Sequence, residues 1–183
     1  ETRTEKEMLL YNQLVDITSA IIDQAFSAAV ITPGKTTTDD IVWWMRQKVT
    51  SLGLETWFHP TIDIQRDNEA LQSHIYSFAK GEKQKTVLPG DLLHCDFGIT
   101  YISLNTDCQR HAYVLRKQET KVPEFLATAF AKGNQVQDIF TGNFNTGSTG
   151  NQILAKSLKQ ARDIGLRPSI YTHPLGTYGH SSG

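Results

Sequence analysis

The chain repeats itself, and that constrains its fold more than any other feature. Lys6 to Val30 reads as an amphipathic helix, with Leu9, Leu10, Leu14, Ile17, Ile21 and Ile22 at helical spacing. A Thr32-Pro33-Gly34-Lys35-Thr36 loop follows, then a helix from about Asp39 to Leu52 that Thr37 or Thr38 can cap, ended by Gly53-Leu54. Next comes an aromatic strand, Thr56-Trp57-Phe58-His59-Pro60, and a second strand, Thr61-Ile62-Asp63-Ile64. The second half runs in the same order. Pro123 starts a helix to about Phe140, with Phe125, Leu126, Ala129 and Phe130 on one face. Thr146-Gly147-Ser148-Thr149 matches the first loop, a helix from Gln152 to Ile164 stops at Gly165-Leu166, and Tyr171-Thr172-His173-Pro174 echoes the aromatic strand. Gly34 to Gly53 is nineteen positions and Gly147 to Gly165 is eighteen. This is a duplicated α/β unit.

Between the halves lie two short strands that each carry one aspartate among apolar residues. Leu92-Leu93-His94-Cys95-Asp96-Phe97-Gly98-Ile99 follows the turn Pro89-Gly90-Asp91, and Asn105-Thr106-Asp107-Cys108-Gln109-Arg110 runs on through Ala112-Tyr113-Val114-Leu115. A carboxylate in an apolar strand loses hydration unless something positive meets it. Asp96 and Asp107 are expected to face each other across an antiparallel hairpin, with Cys95 facing Cys108 on the reverse side. The residues alone leave two readings open. Either the two aspartates chelate cations, or they bond to backbone N–H groups or to Arg110 at a strand edge. The two thiols read as core filling. A cross-strand disulfide, the alternative, would point to an exported protein. Arg66 to Thr86 is polar and poorly patterned, a long excursion before the hairpin.

The motif D-F-G-I-x-Y with x-T-D-x-x-R resembles the metal-binding hairpin of the M24 "pita-bread" metallopeptidases. That family includes prolidase, aminopeptidase P, methionine aminopeptidase and the non-peptidase creatinase. The last residues, His173-Pro174-Leu175-Gly176-Thr177-Tyr178-Gly179-His180-Ser181-Ser182-Gly183, are similar to the family's G-H-x-x-G histidine loop. The resemblance runs from roughly Lys6 to the end. It implies an α+β pita-bread fold of duplicated helix–strand units around an antiparallel sheet. The expected organisation is a single, incomplete catalytic domain over residues 1–183, with repeat 1 at about 32–116 and a truncated repeat 2 at about 123–183.

The resemblance also implies a chemistry: metal-dependent hydrolysis that removes N-terminal residues from short peptides, in the manner of an Xaa-Pro dipeptidase or aminopeptidase P. Asp96 would bind one metal, Asp107 would bridge, and His180 would bind the second. The cofactor would be two divalent ions, and a mixed O/N site suits Mn²⁺, Zn²⁺ or Co²⁺ alike. His173 is the candidate for contact with substrate or transition-state oxygen. The family's further substrate-contacting histidine falls near Phe78 or Ala79, where there is none; His74 is the nearest candidate and His59 the second. The family completes its site with two downstream glutamates. Asp96 and Asp107 lie 43 and 54 residues after Gly53, and the same offsets from Gly165 fall past Gly183. The 183-residue chain alone is therefore expected to be inactive. A catalytically silent pita-bread binding module and a creatinase-like hydrolase are the alternatives; both aspartates argue against the second.

Composition narrows the partners. Residues are 39% hydrophobic and 20% charged with a net charge of −1, which favours neither nucleic acid nor anionic membranes. No apolar run approaches the ~18 residues of a membrane span. Trp43-Trp44 in the second helix is read as one core and one surface ring, the latter open to a homodimer contact. Arg110 reads as a structural ion-pair partner. The cytoplasm is the default location; the chain begins at Glu1 rather than a Met, which keeps export open as the alternative.

Overall fold

The computed structural model describes residues 4–66 and 85–170. They fall into two compact units, one extending through Glu119 and the other beginning at Thr120. None of the described helices is long and apolar enough to cross a membrane.

In the first unit, α1 (Glu5–Ala25) begins with Thr4 and Glu7 capping each other's orphan N–H groups, and α2 (Thr38–Ser51) begins the same way with Thr37 and Asp40. Thr37 is thus the cap. The first helix ends five residues short of the expected Val30, because Ser27 turns the chain: its hydroxyl donates to Gln24 O at 2.7 Å, and its carbonyl accepts from Val30 N at 3.1 Å. Gly53, at φ +68°, ends α2, a left-handed position that favours glycine. Both helices bury one stripe, Leu14, Ile21, Ile22 and Ala25 from α1 with Ile41, Met45 and Val49 from α2. Trp44 packs against this core, while Trp43 is exposed beneath the Arg46 guanidinium.

The described residues of this unit also form six strands: β1 (Glu55–Thr56), β2 (Thr61–Gln65), β3 (Leu92–Phe97), β4 (Ile99–Tyr101), β5 (Leu104–Asn105) and β6 (Cys108–Tyr113). They form two antiparallel sheets, ordered β1-β4-β5 and β2-β3-β6. The expected aromatic strand is cut to two residues. Its remainder, Trp57 to Pro60, crosses from one sheet to the other, and Pro60 has no N–H to give a ladder. Helix α1 packs on β3, β4 and β6, and α2 on β1 and β2.

The hairpin register differs from the expected one by two residues. Asp96 pairs with Gln109, not Asp107, and Cys95 pairs with Arg110, not Cys108. The turn decides this. Tyr101 pairs with Leu104, leaving Ile102 and Ser103 as a two-residue loop with φ +47° and +61°. Two positive φ values are the signature of the turn that matches strand twist, though asparagine and glycine are the residues it prefers. A shift of two keeps parity, so Asp96 and Asp107 still share a face and Cys95 and Cys108 still share the other. Both thiols are free and buried.

In the second unit, α3 (Glu124–Gly142) and α4 (Gly150–Asp163) pack together. Thr149 caps α4 in a box with Gln152. Buried Asn143 joins the helices, its amide nitrogen lying 2.8, 3.1 and 2.6 Å from Ile139 O, Ser157 Oγ and Gln160 Oε1, acceptors that share its two hydrogens. The expected strand at Tyr171 to Pro174 lies outside the described residues.

Candidate metal centre

Strand alternation builds the site. Along β3, Leu93, Cys95 and Phe97 point into the core, which leaves His94 and Asp96 on the opposite, half-covered face. In β2, Ile62 and Ile64 take the core side and Asp63 the other. Cross-strand pairing then sets Asp63 and His111 on either side of His94, and Thr61 and Gln109 on either side of Asp96. His94 Nδ1 lies 3.6 Å from Asp63 Oδ2. Its Nε2 donates to Gln109 Oε1 at 3.0 Å, and its ring centroid is 5.0 Å from that of His111. A polar strip, Asp63–His94–Gln109, therefore crosses the three strands.

At the end of that strip the Asp107 carboxylate is near enough to Asp96 to act on its titration. Burial, then the negative charge of Asp107, pushes Asp96 up to about 6. Burial opposes charge on His94, but its contacts with Asp63 and Gln109 and the nearby carboxylates outweigh that and raise its pKa. His111 shifts down, through burial and then the charge of His94. Behind the site, on the core side of the sheet, burial raises the pKa of both thiols, Cys95 and Cys108.

One oxygen tests whether a cation belongs here. Asp96 Oδ1 is fully enclosed and, among the described residues, has no hydrogen-bond partner. A buried carboxylate oxygen without a donor is costly. A divalent cation satisfies it and offsets both the burial and the repulsion from Asp107 that raise the Asp96 pKa, so the residues fit a metal. The described residues contain no cluster of three or more His, Cys, Asp or Glu side chains arranged for one ion. They supply a carboxylate pair. The other site residues expected from sequence, His180, His173 and His74, lie outside the described residues. His59 lies in the crossing between β1 and β2. Arg110 is not an ion-pair partner among the described residues: it donates to Gln109 O at 2.9 Å and Ser19 Oγ at 3.3 Å, tying β6 to α1.

The model of metallopeptidase family M24 matches residues 10–183. The chain belongs to this family. Its fold is the pita-bread fold of the solved structures it resembles. An X-Pro aminopeptidase from Thermotoga maritima matches with TM-score 0.69 at 17% identity, covering 89% of this chain and 42% of that one. Recombinant prolidase from Thermococcus sibiricus gives TM-score 0.67 at 11% identity, with 90% and 41% covered. Zinc-substituted Escherichia coli aminopeptidase P in complex with product gives 0.65 at 11% identity, with 86% and 33% covered. The M24 chain thus spans about two fifths or less of the length of these three structures. No curated protein matches it.

The sequence pattern puts the two aspartates on one face, but it does not mark Asp63, Gln109 and His111 as neighbours of the pair. The alternation Thr61-Ile62-Asp63-Ile64 was the available signal, since two inward isoleucines send Asp63 outward.

Proposed function

We propose that this chain carries part of the active site of a metal-dependent peptidase that cleaves near the amino terminus of short peptides, at Xaa-Pro bonds. The observation that carries this reading is the half-buried carboxylate pair, with the enclosed Asp96 Oδ1 lacking a donor among the described residues and Asp107 near it. Membership of the M24 family supports hydrolysis of peptides, and the likeness to X-Pro aminopeptidase and prolidase structures supports the bond class.

Asp96, Asp107 and His180 are the residues of this chain that would hold two divalent ions (Mn²⁺, Zn²⁺ or Co²⁺). When bound, such a pair supplies a water that is nucleophilic near neutral pH and a positive charge for the developing oxyanion. The chain's own part is positional. Burial of Asp96 keeps bulk water from its inner oxygen, and the hydrogen bond from His94 fixes the side chain of exposed Gln109 beside the pair. There the Gln109 amide can bond a peptide backbone.

The test is metal analysis of the full-length protein together with hydrolysis of an Xaa-Pro dipeptide and of a matched peptide without proline. Two bound metals and cleavage of the Xaa-Pro bond are expected. A metal-loaded protein that hydrolyses neither peptide overturns the reading and favours a silent binding module.

A further inference from the structure

Asp107 belongs to no strand, yet its carboxylate has to meet that of Asp96. The β3–β6 ladder stops at Phe97 and Cys108, and the β4–β5 ladder starts at Thr100 and Asn105. In the gap, Thr106 N donates to Ile99 O at 2.9 Å, as in an ordinary ladder. The return bond is replaced. Ile99 N donates to the Thr106 hydroxyl at 3.0 Å instead of its carbonyl, and that carbonyl accepts from Trp57 Nε1 at 2.7 Å.

The remaining proton is also assigned. Thr18 Oγ1 donates its single hydrogen to Leu14 O at 2.7 Å. In the 2.8 Å contact between Thr18 and Thr106 hydroxyls, Thr106 is therefore the donor. Both threonines are fully enclosed, so these bonds face no competition from water. The displaced carbonyl passes over Gly98, where an added Cβ would sit 2.0 Å from Thr106 O and 2.5 Å from Trp57 Nε1.

A peptide group is planar, so holding the Thr106 carbonyl fixes the plane that also contains the nitrogen and Cα of Asp107. Two like charges tend to splay apart when no cation lies between them. A fixed backbone resists that movement where no ladder does. We propose that Trp57, supported by Thr18, is a positioning residue for metal binding: it holds the Thr106–Asp107 peptide out of the ladder, so that the Asp107 carboxylate stays against Asp96. This inference rests on the reading of the aspartates as metal ligands.

The test uses the full-length protein and Co²⁺. Trp57→Phe keeps an aromatic ring and removes the N–H; Thr18→Val keeps the shape and removes the hydroxyl, and Thr18→Ser restores it. Calorimetric titration reads Co²⁺ affinity, and the visible spectrum of the loaded protein reads ligand geometry. Trp57→Phe is expected to lose about tenfold in affinity, at the lower end of the range for groups that orient metal ligands, with an altered spectrum. Thr18→Val should weaken binding in the same direction, and Thr18→Ser should recover it. Parental affinity and spectrum in Trp57→Phe, with only a lowered unfolding midpoint, would assign Trp57 a structural role and overturn the proposal. Should Trp57→Phe fail to fold, the threonine pair decides: unchanged affinity in Thr18→Val overturns it equally. A parent protein that binds no Co²⁺ overturns the metal reading itself, and the positioning role with it.

Discussion

Replacing Gly98 by alanine isolates the close approach on which the hairpin junction depends. The ideal Cβ would lie 2.0 Å from Thr106 O, 2.5 Å from Trp57 Nε1 and 2.8 Å from Phe58 Cε1. Ordinary contact begins near 3.4 Å, so the Thr106 carbonyl has to retreat by about 1.4 Å. It cannot do so alone, since Thr106 is also held through its N–H and its hydroxyl. Overpacking of this kind costs about 1–3 kcal/mol. Breaking the Trp57–Thr106 bond and stranding its carbonyl costs about 1–3 kcal/mol more. The sum is roughly 2–6 kcal/mol, a fall in Tm on the order of 10 °C for a chain of this size. Thermal and urea unfolding of the metal-free protein measures it. Gly133→Ala is the control, because nothing lies within 4 Å of its added Cβ and it sits inside α3. That change should stabilise by about 0.5–1 kcal/mol. Were Gly98→Ala to unfold within about 0.5 kcal/mol of the parent, the junction would not be the rigid contact described here.

Three further outcomes are expected. Asp107→Ala should abolish metal retention and hydrolysis while raising the unfolding midpoint of the metal-free protein at pH 7, because the charge that opposes Asp96 is gone; a mutant that binds metal and turns over normally would refute its role as a metal ligand. Asp96 titrates at about 6 in the fold against 3.8 as its ordinary value, so the folded chain holds a proton there that the unfolded chain has released. Its contribution to stability is present below pH 4 and lost as pH rises through about 6, and metal affinity, measured by calorimetry from pH 5 to 7, should strengthen up to that point and then level; a flat profile would count against the assignment. Arg66→Ala should destabilise by about 3 kcal/mol, the lower end for a broken buried pair, since Arg66 Nε and Nη2 meet fully buried Asp91 at 2.6 and 2.9 Å and the carboxylate would lose its cation while keeping the Leu88 N–H. Urea unfolding checks that value, and a loss under about 1 kcal/mol would mean the pair is not needed to hold β2 against the Leu88–Asp91 turn.

Much of the architecture was legible because it depends on near neighbours in the chain. Three helices start where a threonine precedes an acid or amide by three residues, at Thr4, Thr37 and Thr149, and each pair closes a capping box. Only the second of these helices had its cap foreseen. The alternation in Leu92-Leu93-His94-Cys95-Asp96-Phe97 divides that strand into a core side and a polar side whatever its partner, so Asp96 and His94 had to share a face. The same reasoning put Asp107 on that face, and it survived an error of two in the register because two preserves parity.

What the chain could not state locally is which residue stands opposite which. That depends on a turn at Ile102-Ser103 whose residues do not advertise positive φ, and on the competition of whole strands for the core. The neighbours of the aspartates, Asp63 from β2 and Gln109 and His111 from β6, become neighbours only when that competition is settled. The bond from Trp57 to Thr106 spans 49 positions and replaces a ladder bond that a strand pattern would have assigned to Ile99. Side-chain parity is a property of one strand and can be read along it. Register and the close approach at Gly98 are properties of several segments at once, because each contact is set by the packing of all the others, and only the tertiary structure decides them.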